Sequence, residues 1–335
     1  MRKAIVTGGG GFVGLAVVRA LLAGGVEPAV IGRNHYPAVA DLGVRQFCGD
    51  IRDRAFLRAT LAGYDTVFHV AAKAGIWGPR LSYYSVNVSG TENVIDACRY
   101  NNVPALVYTS TPSVVFNGSD LAGVDETTPY ATRFLCHYAE TKVIAEKMVL
   151  AANSKELATV ALRPHLVWGP GDTNLIPRLV ERGRLGLLKQ VGDGKNLVDV
   201  TYIDNAAIAH VLAAENLATS KSAAGKAYFI SQGEPVALWG FINELFRMLN
   251  LPPVTKSVSY GKAYMAGLVL EGLYRTLRLQ EEPLMTRFLA EQLARSHWFS
   301  MDNARLDLGY KPGVSTAAGL KCLVDWLAEI DNHAN

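Results

Sequence analysis

The sequence has few cysteines, little excess charge of either sign and no metalloprotease motif, and each shortage excludes a class of protein. Its four cysteines, Cys48, Cys98, Cys136 and Cys322, are scattered without a CxxC pair or zinc-ligand spacing, which predicts reduced thiols in a cytoplasmic protein. The 33 Lys and Arg residues nearly balance 30 Asp and Glu residues, so no nucleic-acid partner is expected. The seven histidines form no HExxH motif, and no catalytic metal is expected.

Long apolar runs are also missing. No stretch approaches the roughly 18 apolar residues that a membrane-spanning helix requires. The N-terminal Met1-Arg2-Lys3 leads directly into a short apolar strand and not into the h-region of a signal peptide. The longest apolar candidate, residues 263–277, contains Glu271 and Arg275. We interpret it as an amphipathic core helix; the alternative is a membrane-surface helix, which would make the protein peripheral at the inner face of a membrane.

Apolar segments alternate with helical patterns through the first half of the chain. Strands are predicted over residues 4–7, 28–32, 44–48, 66–71, 105–109 and 159–167, and helices over residues 12–23, 83–100 and 138–152. Such alternation predicts an α/β fold with a doubly wound parallel sheet, the Rossmann arrangement, joined by right-handed crossovers. The continuous apolar character of the strands fits burial on both faces of the sheet.

The alternation stops at Gly171, where short segments, prolines and aromatic residues begin. We therefore predict a dinucleotide-binding domain over residues 1–170, with residues 201–232 returning to it. The remaining residues, 171–200 and 233–335, are predicted to form a smaller C-terminal substrate-binding lobe.

A glycine-rich turn separates the first strand from the first helix. Gly8 and Gly11 would let the backbone approach a pyrophosphate, and Gly14 would permit close packing of helix on sheet. The phosphates would then face the N–H groups at the positive end of the helix. A plain glycine turn is the alternative, but strand, turn and helix follow in the order that dinucleotide binding requires.

The end of the second strand bears on which dinucleotide binds. NAD sites place a carboxylate there to accept from the ribose hydroxyls, whereas this chain has Arg33 and Asn34. The planar guanidinium of Arg33 can pair with a 2′-phosphate, so NADP is preferred and NAD stays possible; a solvated surface arginine is the alternative. Asp50, followed by Ile51, ends the third strand and could accept from an adenine amino group, or simply cap a loop.

Tyr138 and Lys142 are the candidate reactive pair. Four residues apart, they share a helix face, so the lysine ammonium is expected to lower the pKa of the phenol and to hydrogen bond the cofactor ribose. Tyr138 would then exchange a proton with a carbonyl oxygen while hydride moves at the carbon. A hydroxyl after the fifth strand, on Ser110 or Thr111, should donate to the same oxygen.

Motifs along nearly the whole chain resemble those of the extended short-chain dehydrogenase/reductases, in the branch of the 3β-hydroxysteroid dehydrogenases. The matching segments are residues 7–14, 50–51, 86–91, 108–111, 138–142, 162–172, 201–205 and 308–312. The resemblance implies catalytic roles for Tyr138, Lys142 and Thr111, which replaces the commoner serine, and a supporting role for Asn87. It also implies a homodimer formed through the helices around Asn87 and Tyr138.

The turn chemistry and the resemblance together define a predicted cofactor site. Its members lie after the strands of the Rossmann sheet or on the reactive helix: Gly8, Gly11, Phe12, Val13, Gly14, Arg33, Asp50, Ile51, Ala71, Ala72, Lys73, Tyr138, Lys142 and Pro164.

Residues 34–37 and 71–78 resemble the reductases of bacterial long-chain olefin biosynthesis. This resemblance implies NADPH-dependent reduction of a β-keto acid, a 2-alkyl-3-oxoalkanoate, to the 3-hydroxy acid, and contact with other enzymes of such a pathway. The alternative is an NAD(P)-dependent 3β-hydroxysteroid or 4-carboxysterol 3-dehydrogenase. An epimerase or dehydratase of nucleotide sugars is disfavoured, because the carboxylate expected near Arg33 is missing.

A hydrophobic substrate with one carboxylate would need an apolar surface and a cation. Lys73 follows the fourth strand and could pair with the carboxylate, although a solvated lysine is equally compatible with its position. Apolar candidates for the tails are Phe134, Trp168, Leu187, Tyr264, Leu268 and Leu270, each of which could instead be core. His165 is interpreted as substrate-lining or structural, since Tyr138 already supplies the acid.

Overall fold

The strands and helices of this chain alternate as the apolar pattern predicts. The computed structural model describes residues 1–333, with side chains through Ile330. The strands are β1 (Lys3–Thr7), β2 (Glu27–Gly32), β3 (Arg45–Cys48), β4 (Thr66–His69), β5 (Ala105–Thr109), β6 (Leu121–Val124), β7 (Ala158–Pro164), β8 (Val167–Trp168), β9 (Gln190–Val191), β10 (Leu197–Val198), β11 (Thr201–Tyr202), β12 (Lys226–Ile230), β13 (Val236–Ala237), β14 (Ser257–Val258) and β15 (His297–Phe299).

The helices are α1 (Phe12–Ala23), α2 (Pro37–Ala40), α3 (Arg54–Thr60), α4 (Arg80–Tyr83), α5 (Gly90–Tyr100), α6 (His137–Ala151), α7 (Leu175–Arg184), α8 (Ile203–Ala218), α9 (Leu238–Met248), α10 (Tyr260–Thr276), α11 (Arg287–Ala294), α12 (Asp302–Leu308) and α13 (Thr316–His333). A π-helical segment, Tyr84–Ser89, joins α4 to α5.

Seven strands form the main sheet in the order β3-β2-β1-β4-β5-β7-β12, and every neighbouring pair is parallel. The predicted doubly wound parallel sheet is therefore confirmed. Helices α1 and α8 cover one face, while α3, α5 and α6 cover the other. The strand order reverses between β1 and β4, so the loops that follow these two strands diverge and leave a crevice at the carboxyl edge.

A second, smaller set of elements lies beyond this edge. It contains a four-stranded sheet, β13-β10-β15-β6, and a two-stranded sheet of β14 and β9. Strand β6 comes from within residues 1–170 and pairs with β15, whereas α8 and β12 lie on the main sheet. The chain therefore passes between the two regions more than once.

Two predicted elements differ most from the structure in their bounds. The strand predicted over residues 159–167 ends at Pro164, because Leu166 adopts a left-handed φ of 39° and Val167–Trp168 pairs with Thr201–Tyr202 instead. The helix predicted over residues 83–100 begins at Arg80 and contains the π-helical segment. Sequence periodicity does not reveal a single wider turn.

The prediction that residues 263–277 form a core helix is wrong. Helix α10 forms there, but only Ala263, Gly267 and Glu271 of it are buried. The helix packs against the start of α11 through Gly267 and the carboxylate of Glu271. Most of its apolar side chains remain exposed. No helix among residues 1–333 is long and apolar enough to cross a membrane.

A buried ion pair joins helix α6 to strand β7. Arg163 Nη2 donates to Glu146 Oε1 at 2.6 Å, and the Tyr130 hydroxyl donates to the same oxygen at 2.8 Å. Both charged side chains are almost completely excluded from solvent. The pair thus fixes α6, which carries Tyr138 and Lys142, against strand β7 of the main sheet.

Replacing Glu146 with glutamine is expected to lower the free energy of unfolding by about 3–5 kcal/mol, because the Arg163 guanidinium stays buried without its counter-charge. Urea denaturation measures the change. Glu244→Gln, which breaks an exposed pair with Arg247, is the control and should have no measurable effect. A Glu146→Gln variant as stable as the parent protein would contradict this account.

Candidate active site

The glycine turn is packed so tightly that side chains do not fit in it. Gly8 has a φ of +71°, and a Cβ there would lie 2.9 Å from the Cα atom of Ala71. A Cβ on Gly14 would lie 2.2 Å from the carbonyl oxygen of Gly8. This oxygen accepts a hydrogen bond from the N–H of Gly11 at 2.9 Å. The turn after β1 therefore presses against the loop after β4 and leaves its backbone exposed to the crevice.

The start of helix α1 has no capping side chain. Gly11 occupies the N-cap position, and the first turn, which includes Phe12 and Val13, carries no carboxylate. Backbone N–H groups at such a helix start lack intrahelical partners and attract anions. Together with the glycine packing, this arrangement fits the pyrophosphate of a dinucleotide.

The ring of Tyr36 covers the adjoining end of this crevice. Cβ atoms on Gly10 and Gly32 would lie 2.1 and 2.4 Å from atoms of the ring. Gln46 fixes the residue by accepting from its N–H at 2.9 Å and donating to its carbonyl oxygen at 3.0 Å. The sequence analysis did not predict that Tyr36 covers the glycine turn. The only feature that could have indicated it is an aromatic residue shortly after β2.

Arg33 and Asp50 also lie at this end. Arg33 is exposed at the end of β2. The Asp50 carboxylate accepts from the backbone and the guanidinium of Arg52, as in the loop-cap alternative. Hydrogen bonds from Arg52 lower the pKa of Asp50, and the positive charge of Arg33 acts in the same direction. Asp50 therefore already has a charged partner in Arg52, while Arg33 is exposed.

A chain of buried hydrogen bonds leads from the glycine turn to Asn87. The backbone N–H of Ala71 donates to Thr7 Oγ1, which contacts His69 Nδ1 at 2.8 Å. His69 Nε2 contacts Thr91 Oγ1 at 2.9 Å, and Thr91 donates to the carbonyl oxygen of Asn87. Burial lowers the pKa of His69 to about 3, so the ring is neutral. The sequence analysis did not identify His69 as part of the site, although a histidine at the end of an apolar strand is the feature that could have indicated it.

Asn87 joins the loop after β4 to helix α6. Its Oδ1 accepts from the N–H of Lys73 at 2.7 Å, and its Nδ2 donates to Lys73 O and to Thr141 Oγ1. The support it gives to Lys142 is indirect, through the neighbouring Thr141. Asn87 lies in the π-helical segment, whose wider turn places its side chain between these partners.

Lys142 is buried between α6 and β5. Its Nζ donates to the carbonyl oxygen of Thr109 at 2.6 Å and lies 4.2 Å from the centre of the Tyr108 ring. Burial lowers the pKa of Lys142 to about 7, although the negative charge of Glu146, one turn further along the helix, acts in the opposite direction. In the free protein this lysine therefore titrates near neutral pH.

Tyr138 lies one turn before Lys142, and the hydroxyl of Thr111 is near enough to the phenol to act against the rise of its pKa. The predicted lowering of its pKa is wrong for the free protein, because burial raises the pKa to about 12 and the ammonium of Lys142 is directed at Thr109. Of the two candidate hydroxyls, that of Thr111 lies near Tyr138 and is hydrogen bonded to Ser113 Oγ at 2.7 Å, while Ser110 Oγ is buried without a partner among the described residues.

A groove of about 750 Å³ opens beside the start of α6. Its walls carry the apolar and aromatic side chains Ile76, Trp77, Phe134, Leu135, Tyr274 and Leu279. Lys73 lies near this region, with its Nζ 5.1 Å above the ring of Tyr83. The hydroxyl of Tyr83 donates to the carbonyl oxygen of Trp77, a residue of the groove wall, at 2.7 Å. Lys73 therefore lies over a ring that is held against the groove wall.

Most of the apolar residues proposed to contact substrate tails lie elsewhere. Phe134 lines the groove, but Trp168 is core between Tyr202 and Phe241. Leu187 and Leu268 are exposed, and the hydroxyl of Tyr264 accepts from Arg133. Leu270 is half-buried on α10 outside the groove lining.

The remaining candidates have mixed surroundings. Ile51 is buried against Gly90, Ala72 is exposed beside the crevice, and Pro164 is buried at the end of β7. His165 Nε2 contacts His297 Nδ1 at 2.6 Å, and burial lowers its pKa well below the usual value. This environment is that of a structural histidine.

The fold and site define a nicotinamide-dependent oxidoreductase of the extended short-chain dehydrogenase/reductase class. The family description "3-beta hydroxysteroid dehydrogenase/isomerase family" matches residues 5–258, and the chain belongs to that family. The resemblance described above is therefore confirmed at the level of the family.

Three similar proteins illustrate the match. The chain is 52% identical to a 2-alkyl-3-oxoalkanoate reductase of Stenotrophomonas maltophilia over 96% of this chain and 98% of that protein. It is 36% identical to the human sterol-4-alpha-carboxylate 3-dehydrogenase, decarboxylating, over 94% of this chain and 85% of that protein. The solved structure of MoeE5 with UDP-glucuronic acid and NAD aligns with a TM-score of 0.76 and 25% identity, covering 98% and 99% of the two chains.

Binding of a nicotinamide dinucleotide at about pH 8 is expected to be accompanied by the uptake of a proton at Lys142. A pKa of about 7 leaves most of this lysine neutral at that pH. The negative phosphates of a bound dinucleotide raise the pKa, so the amine becomes charged. Calorimetry in buffers with different ionisation enthalpies measures the uptake.

Lys142→Met is the control for this uptake, which should disappear in the variant. Near pH 5.5 the amine is already charged in the free protein, so its contribution should also vanish there. Undiminished uptake in Lys142→Met would contradict the assignment.

Proposed function

We propose that the protein reduces a 2-alkyl-3-oxoalkanoate to the corresponding 3-hydroxy acid with NADPH. One observation carries this proposal: Tyr138 lies one helical turn before the buried Lys142, and the hydroxyl of Thr111 is near enough to the phenol to act on its pKa. This pair of hydroxyl groups can hold and protonate a carbonyl oxygen. The nicotinamide cofactor, when bound, supplies the hydride that reduces the carbonyl carbon.

The protonation state of Tyr138 favours reduction. With a pKa of about 12, the phenol keeps its proton at neutral pH and is therefore a donor. In the free protein the Thr111 hydroxyl is hydrogen bonded to Ser113 Oγ at 2.7 Å, and in our proposal it donates to the same carbonyl oxygen as Tyr138. Lys142, charged once phosphates are near, would stabilise the phenolate left after proton transfer.

The names of the relatives suggest a common substrate geometry. A 2-alkyl-3-oxoalkanoate has its oxygen on the carbon two bonds from the carboxylate carbon, and a sterol-4-alpha-carboxylate with an oxygen at carbon 3 repeats this arrangement. A cation close to the reacting carbon is therefore expected. Lys73, whose Nζ lies above the ring of Tyr83, supports this role, and the groove beside Trp77 and Phe134 has room for alkyl chains.

NADPH is preferred in our proposal because of Arg33. Its exposed guanidinium lies at the end of β2, the place where the cofactor ribose binds in this fold, and no carboxylate is present there. A guanidinium can hold a 2′-phosphate through two hydrogen bonds. The nearby Asp50 is engaged with Arg52, which leaves the Arg33 charge available.

Purified protein is expected to oxidise NADPH when supplied with a long-chain 2-alkyl-3-oxoalkanoate. Tyr138→Phe should lower kcat by roughly 10²- to 10⁴-fold, because the acid is lost, while NADPH binding persists. Tyr100→Phe, at an exposed tyrosine, is the matched control and should retain full activity. Initial rates at 340 nm measure both. If only a 4-carboxysterol with NAD gave turnover, the protein would be a sterol dehydrogenase and the proposal would fail.

Arg33→Ala is expected to raise KM for NADPH by about 10- to 100-fold and to leave KM for NADH unchanged, because charged hydrogen bonds to the 2′-phosphate are lost. Steady-state kinetics with both cofactors measure the difference. Arg247→Ala, at an arginine whose partner is Glu244 on α9, controls for the loss of a surface cation. Equal changes for NADPH and NADH would refute a phosphate contact.

A further inference from the structure

The hydroxyl of Thr111 has a second hydroxyl beside it. Ser113 Oγ lies 2.7 Å from Thr111 Oγ1, in the segment that follows β5 at the carboxyl edge of the main sheet. Both residues are only partly buried, so a ligand in the crevice can reach their side chains. The reaction proposed above uses Thr111 and leaves Ser113 without a role.

The backbone fixes this pair of hydroxyls. Thr111 is the N-cap of a short 3₁₀ turn, Pro112–Val114, and its Oγ1 accepts from the N–H of Ser113 at 3.3 Å. The proline restricts the backbone at the first position of the turn, and its carbonyl oxygen accepts from the N–H of Val115 at 3.1 Å. In the described part of the chain, the Ser113 hydroxyl has Thr111 as its only hydrogen-bond partner. The turn therefore does not depend on this hydroxyl.

Two adjacent hydroxyls carry two hydrogens, and only one of these can lie between the two oxygens. Each Ser or Thr hydroxyl donates one hydrogen bond. The contact between Thr111 and Ser113 uses one hydrogen, so the other is available to an acceptor outside the pair. A ligand with two acceptor oxygens at a similar spacing could take both, one from each residue. Because Thr111 lies near the phenol of Tyr138, this two-point donor site lies beside the reactive group.

A 3-oxo acid carries two oxygens of the required kind. Its keto group and its ionised carboxylate both accept hydrogen bonds and have no hydrogen to donate. A single carbon separates the keto carbon from the carboxylate carbon. When the two groups turn their oxygens to the same side of the chain, neighbouring hydroxyls can therefore contact both. A simple ketone offers only the first of these acceptors.

We propose that Ser113 is a specificity-determining residue, which donates to the carboxylate of the substrate while Thr111 donates to the keto oxygen. The inference rests on the proposed function and identifies which part of the substrate the site recognises. Thr111 and Tyr138 share the keto oxygen, so the Ser113 hydroxyl is left for the neighbouring carboxylate. Lys73, the cation expected near this carboxylate, would balance its charge, whereas the Ser113 hydroxyl would fix its direction.

The reverse reaction gives the clearest test, because a 3-hydroxy acid keeps its carboxylate whereas a 3-oxo acid loses it readily. Oxidation of a 2-alkyl-3-hydroxyalkanoate by NADP is compared with that of the secondary alcohol that has the same chains and no carboxylate. Ser113→Ala should lower kcat/KM for the hydroxy acid by about 10- to 100-fold, because a hydrogen bond to a charged group is lost. The value for the alcohol should change by less than about threefold. Single-turnover conditions make slow oxidation of the alcohol measurable.

Two further variants serve as controls. Ser119→Ala removes the hydroxyl of an exposed serine in the same segment, whose partner is Asn117, and should leave both values unchanged. Ser113→Thr keeps the hydroxyl and should retain most of the preference for the acid. NADP binding and thermal unfolding report the folding of each variant. An equal loss for acid and alcohol in Ser113→Ala would overturn the proposal, since Ser113 would then only position Thr111; an unchanged preference would overturn it as well.

A second pair of substrates separates this inference from the proposed function. If the parent protein oxidises no 2-alkyl-3-hydroxyalkanoate, the proposed function fails. The comparison is then made with NAD and a 3β-hydroxysterol with and without a carboxylate at carbon 4, in which the two oxygen-bearing groups have the same relation. A Ser113→Ala variant that loses the preference for the carboxylated sterol would uphold the role of Ser113 alone, and an unchanged preference would refute both.

Discussion

The buried ammonium of Lys142 is the constraint on which the site depends. Its hydrogen bond to Thr109 O fixes helix α6 against strand β5, and the ion pair between Glu146 and Arg163 fixes the same helix against β7. Tyr138, one turn earlier, is thereby held at the carboxyl edge of the sheet. The low pKa of Lys142 reflects burial without a direct counter-charge, and an anionic cofactor would supply the missing negative charge. Cofactor binding and the charge state of the site are thus physically coupled.

A continuous set of hydrogen bonds connects the cofactor end of the crevice with the reactive end. Because His69 is buried and neutral, each of its ring nitrogens keeps one partner, Thr7 on β1 and Thr91 on α5. Thr91 contacts Asn87, which in turn holds the loop at Lys73 and the helix at Thr141. The glycine turn, the loop after β4 and helix α6 therefore form one connected unit. Displacement of any one of them would disturb the position of Tyr138 on helix α6.

The parts of the molecule that follow from local chemistry were predictable. The glycine turn needs a strand before it and a helix after it, and the spacing of Tyr138 and Lys142 follows from one helical turn. The π-helical segment that places Asn87 and the buried position of Trp168 depend on distant partners, and residue type alone does not show them. Helix α10 is the clearest case: Glu271 within an apolar run suggests a solvent-facing carboxylate, but Arg287, on the next helix, draws it inside. The pattern predicts a helix here, and only the tertiary pairing decides which face is buried.

The most direct test of the central claim is the fate of the hydrogen that reduces the substrate. NADPH carrying two deuterium atoms at C4 of the nicotinamide is incubated with a 2-alkyl-3-oxoalkanoate, and the product is analysed by mass spectrometry. The account predicts one deuterium, attached to C3 of the 3-hydroxy acid, and a Tyr138→Phe variant that forms this product far more slowly. A product without deuterium, or one labelled at another carbon, would contradict reduction at this site.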